Sequence, residues 1–203
     1  MMMINMSMEH IGFIILAYLL GSIPTGLLIG KLFFNTDVRQ YGSKNIGATN
    51  TYRVLGLKAA IPVFLGDALK GMAGVWLFSQ DQNLMLLGGI LAMIGHNWSI
   101  FLGFKGGRGV ATGLGVLIFL VPIISAICFA SWAVIVGLTK YVSLGSIVGA
   151  ALVPILMFVF NEPLPYIIFG FIAAVFVIVR HKENIMRLVK GKELKVERTK
   201  ESK

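Results

Sequence analysis

The stretch GVATGLGVLIFLVPIISAICFASWAVIVGLT, residues 109–139, decides the fold. Its 31 residues carry no charge and are apolar almost throughout. As a single helix they would extend for roughly 46 Å at ~1.5 Å per residue, against a bilayer hydrocarbon core of about 30 Å. Pro122 sits near the middle, where a proline removes a backbone donor and interrupts a helix. The stretch is therefore either one overlong span or two short ones turning at Pro122.

Composition and charge choose between them. With 57% apolar and 13% charged residues and a mean hydropathy of +0.84, the chain is an integral membrane protein rather than a soluble domain. Further apolar runs long enough to cross the core cover 11–33, 58–80, 84–103, 142–160 and 163–180. If 109–139 were one crossing, Lys105 and Arg108 would lie opposite the C-terminal tail. Half of the 18 Lys and Arg residues follow Val179, and they would then face outward, against the positive-inside tendency. Two crossings that turn at Pro122 give an all-α, seven-transmembrane helical bundle with the N-terminus outside and the C-terminus cytoplasmic. The segments SQDQN (79–83) and NEPLP (161–165), which lack Lys and Arg, then lie outside. Residues 1–203 read as a single transmembrane domain, with 185–203 as its basic cytoplasmic tail.

Other global features are less informative. The 24 glycines follow no fixed period, and there is no internal repeat. Cys128, the single cysteine, lies in an apolar stretch and reads as a packing residue. MMMINMSMEH lacks the basic region and cleavage site of a secretory signal, so the first apolar run reads as a retained span. The net charge of +9 sits beside apolar spans and suits an anionic lipid surface. No nucleic-acid motif accompanies it, so nucleic acid is not the expected partner.

On this topology four polar segments converge on the cytoplasmic face. GSKNIGATNTYR (42–53) combines Gly42 and Gly47 with the neutral hydrogen-bonding groups of Ser43, Asn45, Thr49 and Asn50. Leading into a helix N-terminus near Thr49 to Thr51, it suits a phosphate held by backbone N–H groups, and Arg53 adds a fixed charge. A plain solvated loop with an N-cap reads equally well from this segment alone. FKGGRGVAT (104–112) repeats the logic with Lys105, Gly106, Gly107, Arg108 and Gly109. It lacks the Walker A spacing, which disfavours a nucleotide hydrolase. The alternative for Lys105 and Arg108 is that of snorkelling interfacial anchors.

KYVSLGS (140–146) places Ser143 and Ser146 on one helix face, and RHKEN (180–184) does the same for His181 and Asn184. Asp67 and Lys70, three apart, read as a buried pair that supports a site from behind. His96, beside Asn97 and Trp98, reads as a structural residue near the end of its span, and Glu9 and His10 as solvated. No His, Cys, Asp or Glu spacing suggests a metal site. The residues thus describe two glycine-rich anion cradles, several cations, two serines and a histidine on one face. An enzyme acting on phosphorylated, lipid-linked substrates fits this, and so does an anion transporter. Clustering at one face, instead of at the midplane where secondary transporters bind, favours the enzyme.

The segments GSKNIGATN with Arg53, GHNWSIFLGFKGGRGVAT (95–112), KYVSLGS and RHKENIMRL (180–188), together with DALKG (67–71), resemble the signatures of the bacterial acyl-phosphate-dependent glycerol-3-phosphate acyltransferases, the PlsY family. The likeness covers essentially the whole chain. It implies a multi-pass enzyme of the bacterial cytoplasmic (inner) membrane, with its active site on the cytoplasmic side. That enzyme moves a fatty acyl group from acyl phosphate to the sn-1 hydroxyl of glycerol 3-phosphate, giving 1-acylglycerol 3-phosphate and inorganic phosphate at the first step of phospholipid synthesis. No cofactor, metal, coenzyme A or acyl carrier protein is implied.

Matched position by position, the resemblance points to Ser43, Asn45, Arg53, Ser146, His181 and Asn184, with Ser143 and His96 nearby. Ser43, Ser146, His181 and Asn184 are the implied catalytic group. Asn45, Gly47, Thr49, Asn50, Arg53, Ser143 and His96 join Lys105, Gly106, Gly107, Arg108 and Gly109 as the implied substrate-binding set. The family usually has lysine where this chain has Arg108 and proline where it has Ser99. Arginine keeps the charge but differs in reach and geometry, so Lys105 is a second candidate for the phosphate contact. The general base is open between His181 and a phosphate oxygen of the substrate. The substrate is preferred, with Ser43 as a positioner near the acyl carbonyl and not a nucleophile.

Overall fold

A computed structural model describes residues 8–197 of the chain. The N-terminal stretch 1–7 and the end of the basic tail, 198–203, lie outside the described residues. The interruption at Pro122 is present: α6 (Val110–Leu120) ends at Val121, and Pro122 opens α7 (Pro122–Thr139) in the first helical turn, where its missing N–H costs nothing. With 11 residues, α6 rises only about 16 Å.

A second break falls inside the run 11–33, read from sequence as one span. Helix α1 (Met8–Ser22) and α2 (Thr25–Phe34) are bent by 48°. Pro24 supplies no N–H and drives Ile23 out of the helical region. The carbonyls freed there find partners on other elements. Ser99 Oγ donates to Ser22 O at 2.5 Å, and Lys70 Nζ donates to Ile23 O at 2.8 Å.

The remaining elements are α3 (Ala48–Leu55), α4 (Leu57–Trp76), α5 (Gln82–Asn97), α8 (Val142–Val159), α9 (Leu164–Arg180) and α10 (Lys182–Val189), the last bent 60° from α9. Among the described residues there is no strand. The segments of α5, α7 and α8 are long and apolar enough to cross a membrane unbroken, and five segments are if each bent pair counts as one.

Two helix groups form the body. Helices α1, α5 and α6 pack around α4, and α8 lies between α7 and α9. The groups meet through α5 against α9 and through the α6–α7 turn. Glycine permits the closest approaches: Gly71 faces the Thr112 backbone and Gly115 the Ala68 backbone, with no room for a Cβ. Val116, Ile124, Met157 and Phe169 are buried in the core. Ile123, Val134 and Phe171 point outward, apolar surface that suits lipid. The incomplete contact between the groups leaves a space that opens at one end of the bundle.

Candidate active site

That space is a cavity of about 730 Å³. Its polar end is bordered by the loop before α3, by the loop before α6, by the start of α8 and by the α9–α10 junction. Ser43, Asn45, Arg53, Arg108, Ser143, Ser146, His181 and Asn184 all line it.

The 42–50 loop is shaped by its own amides. Asn50 donates through Nδ2 to Val38 O, Tyr41 O and Asn45 O, and its Oδ1 accepts from Ser43 N at 2.7 Å. Every polar atom of Asn50 is thus engaged in holding the loop, not left for a ligand. Asn45 Oδ1 accepts from Gly47 N at 2.8 Å, which leaves its amide nitrogen for other partners. Gly42 has φ +58, beyond easy reach of other residues, whereas Gly47 at φ −77 does not need glycine's freedom. Lys44 adopts φ +59. Thr49 lies in the first turn of α3 and lines the cavity. One helical turn on, Arg53 is buried, with Nε and Nη2 donating to Lys195 O and Leu194 O.

The second loop departs from the expectation of a paired-glycine cradle. Gly106 and Gly107 press against His96 so closely that neither has room for a Cβ, and Gly107 N donates to His96 O at 2.9 Å. Their lack of side chain serves the seat on α5. Their carbonyls are taken by Arg180, which donates through Nε and Nη2 to Gly107 O (3.1 and 2.9 Å) and through Nη2 to Gly106 O (3.1 Å). Arg180 also stacks on Trp98, 5.6 Å from the ring centroid. Gly109, at φ +78 and against Asn97, must be glycine for both reasons. Lys105 is exposed and does not line the cavity, so of the two cations offered by FKGGRGVAT only Arg108 reaches it. Burial lowers the Arg108 guanidinium to about 10, and it stays charged at neutral pH.

Beneath this loop His96 is buried with the ion pair read from sequence: Asp67 Oδ1 lies 2.8 Å from Lys70 Nζ and 3.6 Å from His96 Nδ1. His96 therefore braces the loop from below.

At the other side of the cavity the hydroxyls are already directed. Ser146 Oγ donates to Val142 O at 2.9 Å, so toward the cavity it offers lone pairs. Ser143 Oγ donates to Glu193 at 2.8 Å. His181 Nδ1 lies 2.7 Å from Val177 O. A carbonyl only accepts, so Nδ1 carries the proton and neutral His181 presents Nε2 as an acceptor. Burial, only partly opposed by the bond to Val177 O, pushes His181 down to about 4.

Glu193 was not among the residues expected here. The tail, read from sequence as a basic cytoplasmic extension, turns back at Gly191 (φ +63), and Val196 N donates to Lys140 O at 2.8 Å. Glu193 thereby enters the cavity wall, where Asn184 Nδ2 (2.6 Å), Arg187 Nε (2.8 Å) and Ser143 all donate to it. Burial alone would raise its carboxyl, but these hydrogen bonds outweigh it and hold the group ionised. Asn184 Oδ1, buried on the cavity wall, has no hydrogen-bond partner among the described residues.

Below the polar end the cavity turns apolar. Leu57, Ile61 and Leu65 of α4, Leu117 of α6, Phe129 and Trp132 of α7, and the facing sides of α8 and α9 line it. Ile61, Leu65 and Phe129 are 49%, 52% and 44% exposed, so its flank between α4 and α7 is open toward lipid.

A helical membrane bundle with a cavity that joins arginines and oriented polar groups to a lipid-open apolar channel is the architecture of a membrane protein suited to an anionic, lipid-linked ligand. Known proteins place the chain more narrowly. The family model described as glycerol-3-phosphate acyltransferase matches residues 11–191. A glycerol-3-phosphate acyltransferase of Fusobacterium nucleatum subsp. nucleatum is 47% identical over 186 residues, covering 90% of this chain and 96% of that protein. One of Clostridioides difficile is 42% identical, covering 96% and 100%. The crystal structure of PlsY, an integral membrane glycerol 3-phosphate acyltransferase, in its glycerol 3-phosphate form superposes with a TM-score of 0.86 at 38% identity, over 92% of this chain and 95% of that one. Its lysophosphatidic acid form gives 0.84 at 37% identity. The chain belongs to the glycerol-3-phosphate acyltransferase family, membrane enzymes of phospholipid synthesis.

Proposed function

We propose that this protein transfers a fatty acyl group from acyl phosphate to the sn-1 hydroxyl of glycerol 3-phosphate, releasing 1-acylglycerol 3-phosphate and inorganic phosphate. The observation that carries the reading is the cavity in which Arg53, Arg108, His181 and Asn184 together stand at the mouth of an apolar channel. Two anions and one acyl tail are what such a cavity accommodates. The related crystal forms, with glycerol 3-phosphate and with lysophosphatidic acid, support an acceptor and product of this kind.

The chemistry needs positioning and charge more than a protein nucleophile. Arg53 and Arg108 offset the repulsion between the two phosphates. The Ser43 hydroxyl lies at the mouth near the acyl carbonyl, while Ser146, an acceptor, and Asn184 orient the glycerol. The sn-1 oxygen attacks the carbonyl carbon, the C–O bond to phosphate breaks, and the hydroxyl proton passes to a phosphate oxygen. His181 is neutral at physiological pH yet too weakly basic, at about 4, to lead that proton transfer. Its Nε2 instead accepts a hydrogen bond and fixes the acceptor. Acyl phosphate is already activated, so neither coenzyme A nor acyl carrier protein enters.

In the membrane we place the N-terminus outside and the C-terminus in the cytoplasm of a bacterial inner membrane, with seven crossings: the broken α1–α2 segment, then α4, α5, α6, α7, α8 and α9. The site then faces cytoplasmic glycerol 3-phosphate and draws its donor from the bilayer. Purified protein in lipid, given palmitoyl phosphate and glycerol 3-phosphate, is expected to release phosphate and lysophosphatidic acid in equal amounts. Passage of glycerol phosphate into sealed liposomes without covalent change would make it a transporter instead.

A further inference from the structure

The apolar channel changes calibre at one depth. On α8 and α9 the lining residues seven positions from the polar end are Gly149 (from Val142) and Ala173 (from Arg180). Eleven positions from the same ends stand Val153 and Phe169, and on α7 Cys128 is eleven positions from Thr139. All three of these deeper residues are 5% exposed or less, and Ile124 and Met157 fill the core around them. Two helices, α8 and α9, thus bring small lining to about 10 Å, where α7 presents Trp132, and all three close the channel at about 16 Å, using ~1.5 Å per residue. That depth matches one leaflet of the hydrocarbon core, half of about 30 Å.

Gly149 is the position where calibre is most easily changed. A Cβ there would meet only Cys128 O, at 3.6 Å, which is ordinary contact. The fold itself does not demand glycine at this point, in contrast to Gly145, where a Cβ would lie 2.9 Å from Trp132 and 3.0 Å from Val136.

We propose that Gly149 and the Cys128–Val153–Phe169 floor form a depth gauge that sets which acyl chain lengths this enzyme accepts. The inference rests on the acyltransferase reading above. The acyl tail enters through the open flank at Ile61, Leu65 and Phe129, then lies along α8 and α9 with its terminal methyl near Val153. A larger side chain at 149 truncates the channel and turns long tails out into the flank. A smaller one at 153 deepens it.

The test is the donor-length profile of the full-length protein in lipid, with octanoyl, lauroyl, palmitoyl and stearoyl phosphate and glycerol 3-phosphate. Gly149→Leu is expected to keep octanoyl transfer within about twofold of the native rate and to lower palmitoyl transfer by about tenfold or more, the discrimination that pocket volume supplies. Val153→Ala is expected to raise the stearoyl-to-palmitoyl ratio, and it decides the matter should the leucine variant lose all donors alike. A ratio unchanged in Val153→Ala, or equal transfer of every length by Gly149→Leu, overturns the depth gauge. No product from the native protein with any donor would sink the acyltransferase reading, and the gauge with it.

Discussion

Arg180 lies outside the cavity lining, yet it decides the shape of the loop that carries Arg108. Its guanidinium forks across the carbonyls of Gly106 and Gly107 with three N–H···O contacts of 2.9 to 3.1 Å, on a base provided by Trp98. With those carbonyls turned away, the loop presents Arg108 to the cavity. Bonds from a charged donor contribute about 1.5–3 kcal/mol each, and water replaces part of that at a half-buried site, so removing the fork costs about 2 kcal/mol of loop order. If the ordered loop is what binds the acceptor phosphate, Arg180→Gln raises the KM for glycerol 3-phosphate by ~30-fold, at tenfold per 1.4 kcal/mol. Arg180→Lys keeps the charge and one carbonyl contact but not the fork, and should fall between, at roughly fivefold. Initial rates over a range of glycerol 3-phosphate at saturating acyl phosphate read the effect, with kcat expected within about threefold of native. A folded Arg180→Gln protein with unchanged KM, or one that loses kcat alone, would refute the reasoning.

Three further outcomes follow from the geometry. Glu193→Gln keeps the shape but loses the charge that Arg187 and Asn184 hold; it should lower stability by about 2 kcal/mol, a fall in Tm of ~4–8 °C by thermal unfolding in detergent. His181 is depressed from 6.5 to about 4, so between those values the unfolded chain takes up a proton that the folded one refuses. Stability should therefore be level above about pH 7 and fall by about 3 kcal/mol as pH drops through that window, and His181→Asn should remove this dependence. Ser99 has φ −66 and ψ 125, compatible with the proline that the family resemblance implies at this position, and its hydroxyl donates to Ser22 O. Ser99→Pro should accordingly cost only that bond, about 1 kcal/mol, with activity retained within about twofold.

Much of the fold was legible because its decisive signals were local. The overlong run at 109–139, Pro122 and the placement of Lys and Arg were enough to expect a turn where α6 gives way to α7. The break at Pro24 escaped that reading because the run 11–33 is short enough to cross as one helix. What marks it is tertiary: Lys70 and Ser99, distant in sequence, satisfy the carbonyls it frees. The site shows the same division. Ser43, Arg53, Arg108, Ser143, Ser146, His181 and Asn184 stood out as polar groups among apolar spans, and the structure gathers them around one cavity. Lys105 stood out equally but is exposed, since paired glycines after a cation do not say which way the cation points. Glu193 did not stand out at all, because an acid among the lysines of GKELK is lost in a tail read only as basic and cytoplasmic. The one sequence signal was Gly191, which reverses the chain just before it. Arg180 was legible only as part of the polar segment RHKEN, because its carbonyl partners lie on a loop distant in sequence.

The central claim is that the acyl donor is acyl phosphate and the acceptor is glycerol 3-phosphate. The direct measurement supplies radiolabelled glycerol 3-phosphate to the purified protein in lipid, with palmitoyl phosphate, palmitoyl coenzyme A or palmitoyl acyl carrier protein in parallel. The account predicts label in 1-palmitoylglycerol 3-phosphate with palmitoyl phosphate alone, matched by an equal release of inorganic phosphate. Label incorporated from either thioester without acyl phosphate, or acyl phosphate consumed with no labelled product, would contradict it.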